Sequence, residues 1–200
     1  MKQFVFFFLG LIMFQSTKGQ YWQQAVEYTM EVALDHESAT YSGVQKIVYT
    51  NNSPETLNKV FYHLYFNAFK PGSEMAIRQK NSADKNTRFK INLDSLTPNQ
   101  EGYIRVSGLT QNGVLLNPVD SETILEVPLH TPIAPGEKAI FELAFEGHVP
   151  NVIRRAGKNS REGVAFSMAQ WYPKMAEYDR EGWNADPYTG REFHGVWGDF

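Results

Sequence analysis

The chain has 200 residues, with 19 basic and 22 acidic side chains, a formal charge of -3 and no cysteine. That length suits one large domain or two small ones. The missing thiols exclude a disulfide scaffold and a thiolate-held zinc or iron–sulfur centre, and the mild acidity gives no electrostatic ground for binding nucleic acid. Apolar residues make up 42% and aromatics 14%, too rich a mixture for a disordered chain.

Residues 1–20 read as an export signal rather than as part of a fold. Lys2 supplies a positive charge, Phe4 to Phe14 is an apolar run broken only by Gly10, and Gln15 to Gln20 is small and polar. This is the charged, apolar, cleavable order of a secretory signal. The run is shorter than the roughly twenty residues of a membrane span; an uncleaved anchor is the alternative. Cleavage after Gly19 deletes Lys2 and Lys18 and no acid, so 17 basic residues remain against 22 acidic, a charge of -5. No later segment has the length and apolarity of a membrane span. The expected location is periplasmic, envelope-associated or secreted, and residues 21–200 form the mature domain.

Strands dominate the rest of the chain. Tyr28, Met30, Val32 and Leu34 alternate with Thr29, Glu31 and Ala33, the period of a half-buried strand. Tyr41 to Thr50 continues in the same style, and Asn51-Asn52-Ser53-Pro54 breaks the chain with turn chemistry. Asn51-Asn52-Ser53 also fits a glycosylation acceptor, which matters only in a eukaryotic secretory pathway. Val60 to Asn67 reads as a strand that is aromatic on both faces, hence central. Lys70 to Lys90 is polar, a loop or a short helix over Ser73–Gln79. Asn112-Gly113 between Tyr103–Val106 and Val114–Leu116 predicts a hairpin. Ile124–Leu129 comes next, then a Pro135-Gly136 turn, then alternation from Ala139 to Phe145. Val164, Phe166, Met168 and Gln170 give a last alternation. Seven to nine short strands without a long helix predict an all-β sandwich or curved antiparallel sheet.

The catalytic inventory is thin. No two of His36, His63, His130, His148 and His194 have the i, i+4 spacing that puts two zinc ligands on one helical face. His36-Glu37 opens like H-E-x-x-H, but Thr40 stands at the second ligand position, so this reads as a solvated turn. His63, within a strand, reads as a packed core residue. No G-x-S-x-G, phosphate loop or dinucleotide fingerprint occurs. The densest chemistry runs from Gln170-Trp171-Tyr172-Pro173-Lys174 through Tyr178-Asp179 and Gly182-Trp183 to Trp197-Gly198-Asp199-Phe200. Such aromatics, mixed with Gln, Asp and Gly, either wall a pocket or cement one sheet to its neighbour. A glycan-binding β-sandwich module that stacks sugars on Trp171, Tyr172, Trp183 and Trp197 is one functional reading.

Several segments, in order, resemble the N-terminal domain of the aminopeptidase N family of zinc metallopeptidases. These are Tyr28-Thr29-Met30-Glu31-Val32; Ile47 to Glu55 followed by Phe61-Tyr62-His63-Leu64-Tyr65-Phe66-Asn67-Ala68; Ile133-Ala134-Pro135-Gly136-Glu137; Phe145-Glu146-Gly147; and Gln170-Trp171-Tyr172-Pro173-Lys174 with Tyr178-Asp179 and Gly182-Trp183. The likeness runs over residues 26–200, in the form common in bacterial secreted members. It implies a twisted, saddle-like all-β domain and a catalytic domain downstream in the same polypeptide. The family's H-E-x-x-H and G-x-M-E-N motifs are absent from these 200 residues. The chain itself is therefore expected to bind no cofactor and to cleave nothing alone, with zinc held in the full-length enzyme. In the family a Gln or Glu of this domain contacts the amino end of the peptide substrate. Gln170 matches that position, and Trp171 and Tyr172 then flank the first side-chain pocket. The alternative for Gln170 is a strand-end cap.

Overall fold

The computed structural model describes residues 21–81, 91–151 and 156–189; the signal segment lies outside them. The strands in chain order are β1 (Ala25–Asp35), β2 (Thr40–Thr50), β3 (Leu57–His63), β4 (Tyr103–Gln111), β5 (Val114–Leu115), β6 (Val119–Ser121), β7 (Ile124–Ile133), β8 (Lys138–His148), β9 (Gly157–Lys158), β10 (Phe166–Ser167), β11 (Lys174–Met175), β12 (Tyr178–Asp179) and β13 (Gly182–Trp183). One helix, α1 (Glu74–Asn81), starts where the Ser73 hydroxyl accepts from the Ala76 amide, a side-chain cap.

Two sheets carry the architecture. The larger runs β1-β2-β8-β4-β5 and the smaller β11-β3-β7-β6, and every ladder between named strands is antiparallel. The all-β antiparallel fold expected from the alternation is the one observed. Strand periodicity explains the layering. Along β2, Tyr41, Gln45, Ile47 and Tyr49 are buried, and along β8, Ala139, Phe141, Leu143 and Phe145 are buried in register with them. These meet Val60, Tyr62, Leu125 and Val127 of the smaller sheet in one core. Asn112 and Gly113 both take positive φ (49° and 83°), the conformation that the expected β4–β5 hairpin needs.

Some expectations are corrected. The strand predicted over Val60–Asn67 ends at His63. Leu64 donates its amide to Thr123, and Tyr65–Ala68 winds into a 3-10 turn with all four residues buried. A short run that is apolar or aromatic on both faces does not distinguish strand from helix by periodicity. The alternation of Val164 to Gln170 yields only the two residues of β10, paired with the equally short β9; three residues on, Gln170 takes φ +57°. In β1 the alternation holds, but Val32 and Leu34 are 44% and 46% exposed. This strand is the edge of its sheet, and its far end runs past the core.

The turn after β2 is tied by its own first residue. The Asn51 amide nitrogen donates to Glu55 and Ile133 carbonyls at 2.7 and 2.9 Å, while its oxygen accepts from the Ser53 amide, the Ser53 hydroxyl and Gln24. Asn51 is fully buried. In the folded chain its nitrogen is therefore committed, and the glycosylation reading of Asn51-Asn52-Ser53 fails there. The His36 segment is the exposed turn that was expected, closed by Asp35 accepting from the Glu37 amide and the Ser38 hydroxyl.

Candidate functional site

The site begins with two glycines in central strands. A Cβ on Gly147 would sit 2.2 Å from the Tyr41 ring, and one on Gly43 would sit 2.8 Å from the Phe145 ring. Tyr41 pairs with Gly147 and Gly43 with Phe145 across the same ladder. Each aromatic thus lies down over the glycine opposite it. The two rings, 6.3 Å apart, make a floor on which the Trp171 indole rests, 5.7 Å from Tyr41 and 6.1 Å from Phe145.

The backbone of the strip is gripped from both sides. From the larger sheet, the Tyr41 hydroxyl donates to the Trp171 carbonyl at 2.5 Å and Gln45 Nε2 donates to the Pro173 carbonyl at 2.9 Å. The Tyr28 hydroxyl accepts from the Met175 amide at 2.9 Å. From the smaller sheet, β11 pairs with β3, Lys174 opposite His63 and Met175 opposite Tyr62, and the Ala176 amide donates to Phe61. Burial raises the Tyr41 and Tyr28 phenols far above their ordinary range, so both hydroxyls stay protonated at any physiological pH. Gln45 Oε1 and the Tyr62 hydroxyl are buried and without a partner among the described residues.

Gln170, Trp171 and Tyr172 are all half-buried and consecutive, with Pro173 buried behind them. Gln170 adopts a left-handed backbone, a conformation that costs a non-glycine residue about 1–2 kcal/mol. Its placement between β10 and β11 is a turn rather than the end of a ladder. Tyr172 stands edge-on to both Trp171 and Tyr28. The site thus presents one amide side chain and two aromatic edges on a backbone held at three alternate residues. Chemically it can accept from an ammonium, donate to a carbonyl and flank a side chain. These residues include no nucleophile–base pair.

Trp183 is elsewhere. It packs on Tyr49, Phe61 and Tyr178, and Tyr178 stacks on Trp22 and donates to Glu55 in a short hydrogen bond. Tyr41 and Tyr49 lie eight residues apart on β2, roughly 27 Å of extended chain. Trp171 and Trp183 therefore belong to opposite ends of the sandwich and cannot form one stacking platform. Trp197 and His194 fall outside the described residues.

Two of the described histidines are engaged by other groups. His63 is buried, stacks on Tyr65 and donates Nε2–H to the Asn184 carbonyl at 3.0 Å. Its imidazole is held down to about 4 by burial, which outweighs the upward pull of the Asn184 hydrogen bond; Lys174 lowers it a little further and Asp186 raises it slightly. His148 has its Nδ1 on the Glu101 carbonyl and its Nε2 against Lys158 Nζ. Among the described residues no group of three or more His, Asp or Glu could hold a metal ion. No helix among them is long and apolar enough to cross a membrane.

Gln170, Trp171 and Tyr172, to which the sequence pointed, are adjacent in the chain and lie half-buried on one strip. The sequence did not point to Tyr28, Tyr41 or Gln45 as their holders. One signal was available: Gln45 falls on the same face of β2 as Tyr41, Ile47 and Tyr49, where a polar side chain must find a buried partner.

No protein-family model matches the sequence, and no curated protein matches it. Among solved structures, the chain is similar to the M1 zinc metallopeptidase from Deinococcus radiodurans at 18% identity and a TM-score of 0.45, over 74% of this chain and 26% of that one. A two-domain M1 zinc metallopeptidase mutant bound to L-tryptophan matches with the same identity, score and coverage of this chain, and 27% of its own. The chain thus spans about a quarter of the length of these structures.

Proposed function

We propose that this chain is the substrate-positioning N-terminal domain of an exported zinc-dependent aminopeptidase, whose hydrolytic zinc is held by polypeptide beyond residue 200. The observation that carries the reading is the gripped strip. Gln170 stands at a strained turn, half-exposed, directly before two aromatic edges on a strip whose backbone is fixed at Trp171, Pro173 and Met175 by three side chains of the first two strands. A strained residue held by over-determined surroundings is a mark of a functional contact. The residue-by-residue likeness of Gln170-Trp171-Tyr172-Pro173-Lys174 to the family's cleft strip supplies the substrate class. The role of Gln170 is to accept a hydrogen bond from the amino-terminal ammonium of a peptide, and Trp171 and Tyr172 flank its first side chain. On this reading the metal and the general base come from the later polypeptide, so the domain alone hydrolyses nothing.

The test uses the complete protein read from the coding sequence beyond Phe200, with aminoacyl-4-nitroanilides as substrates. Replacing Gln170 with Ala removes a hydrogen bond to a charged group, a contribution of about 1.5–3 kcal/mol. KM is expected to rise roughly 10-fold to 100-fold. Unchanged KM and kcat would defeat the assignment, as would a stop codon directly after Phe200.

A further inference from the structure

The three hydrogen bonds that reach the strip from the larger sheet have a regular pattern. Tyr41, Gln45 and Tyr28 contact the Trp171 carbonyl, the Pro173 carbonyl and the Met175 amide, that is, every second residue. In a β-ladder these positions would be bonded by a neighbouring backbone. Here side chains take that place, because the neighbouring strands belong to a sheet that packs face-on rather than edge-on to the strip. Two of the three are chemically specific. Tyr41 is 3% exposed and its ring is fixed by Gly147 beneath it, so its hydroxyl has one place to go. Gln45 is 2% exposed and uses its only bonded atom on Pro173.

We infer that Tyr41 and Gln45 are positioning residues for substrate binding: they fix the backbone at Trp171 and Pro173, on either side of Tyr172, and thereby hold Gln170 at its left-handed turn. The inference rests on the substrate-contact reading of Gln170. The geometry makes a specific demand. Trp171 directly follows Gln170, so freeing the Trp171 carbonyl lets the turn relax toward ordinary φ and withdraws the Gln170 amide from its station.

The experiment is a double-mutant cycle in the complete peptidase. Tyr41→Phe keeps the ring over Gly147 and under Trp171 and deletes only the hydroxyl; Gln45→Met keeps the side-chain length and deletes the donor. Each is expected to raise KM about threefold to tenfold, the reach of one ordinary hydrogen bond, with kcat within twofold. In a Gln170→Ala background each change should raise KM by clearly less than it does in the wild type, since the part of its effect that passes through that side chain is already lost. Hydrogen exchange at the Met175 and Ala176 amides reads the same loosening without substrate and is expected to quicken in both variants. Unchanged KM in both single variants, or an equal KM increase with and without Gln170, would overturn the inference while leaving the role of Gln170 intact. If Gln170→Ala alone leaves KM unchanged, the substrate reading falls and the inference falls with it.

Discussion

At the scale of single residues, His63 shows how burial becomes a pH dependence. Its folded imidazole stays neutral down to about 4, whereas in the unfolded chain it takes up a proton near 6.5. Between those values the unfolded state binds more protons, so stability is complete above pH 6.5 and is lost as the pH falls toward 4. At about 1.4 kcal/mol per pH unit, moving from pH 7 to pH 5 removes about 2 kcal/mol through this residue. Urea titrations at the two pH values check it. His63→Phe retains the ring against Tyr65 and should flatten that part of the slope, whatever it does to stability at pH 7. An identical slope in the variant would contradict this account. His63 was legible in the sequence as a core residue, because it sits in a β run. Its partner was not, since the Asn184 carbonyl lies 121 residues away.

At the scale of elements, the alternation in β2 and β8 could be read directly, since a period of two with one buried face has few other solutions. What alternation could not tell is that Gly43 and Gly147 are the reason that Tyr41 and Phe145 lie flat. A glycine in a strand signals only that something comes close, and which ring comes close depends on register between strands a hundred residues apart. That cross-strand pairing is testable. Gly147→Ala forces a methyl group to within 2.2 Å of the Tyr41 ring, so the ring must leave. Overpacking of this kind costs about 1–3 kcal/mol. Thermal unfolding should show the loss, and near-ultraviolet circular dichroism should show a changed Trp171–Tyr41 environment. A variant with wild-type stability and spectrum would mean that the ladder yields instead. The misread end of the strand expected over Val60–Asn67 has a different origin. Leu64 to Ala68 is buried on every side, and its 3-10 turn was chosen by the Asn67 side chain, which donates to Glu122 and accepts from the Ile104 amide.

At the scale of the whole molecule, residues 171–183 touch both ends of the sandwich. Trp171 is seated at the Tyr41 end of β2, and Trp183 at the Tyr49 end. Between them β11 completes the smaller sheet and the β12–β13 ribbon turns at Arg180 and Glu181, both exposed. The candidate site was legible as a cluster of aromatics on one segment; its division into two distant groups was not, because nearness along the chain says nothing about where a crossing segment is fastened. This double fastening has a practical consequence. Trypsin can reach the bond after Arg180, and a single nick there would leave the later piece held on the earlier one by Trp183 against Tyr49 and Phe61 and by the Tyr188 amide on Thr123. The clipped protein should elute from a sizing column as one species, and should separate only when denaturant loosens the Trp183 indole from its seat.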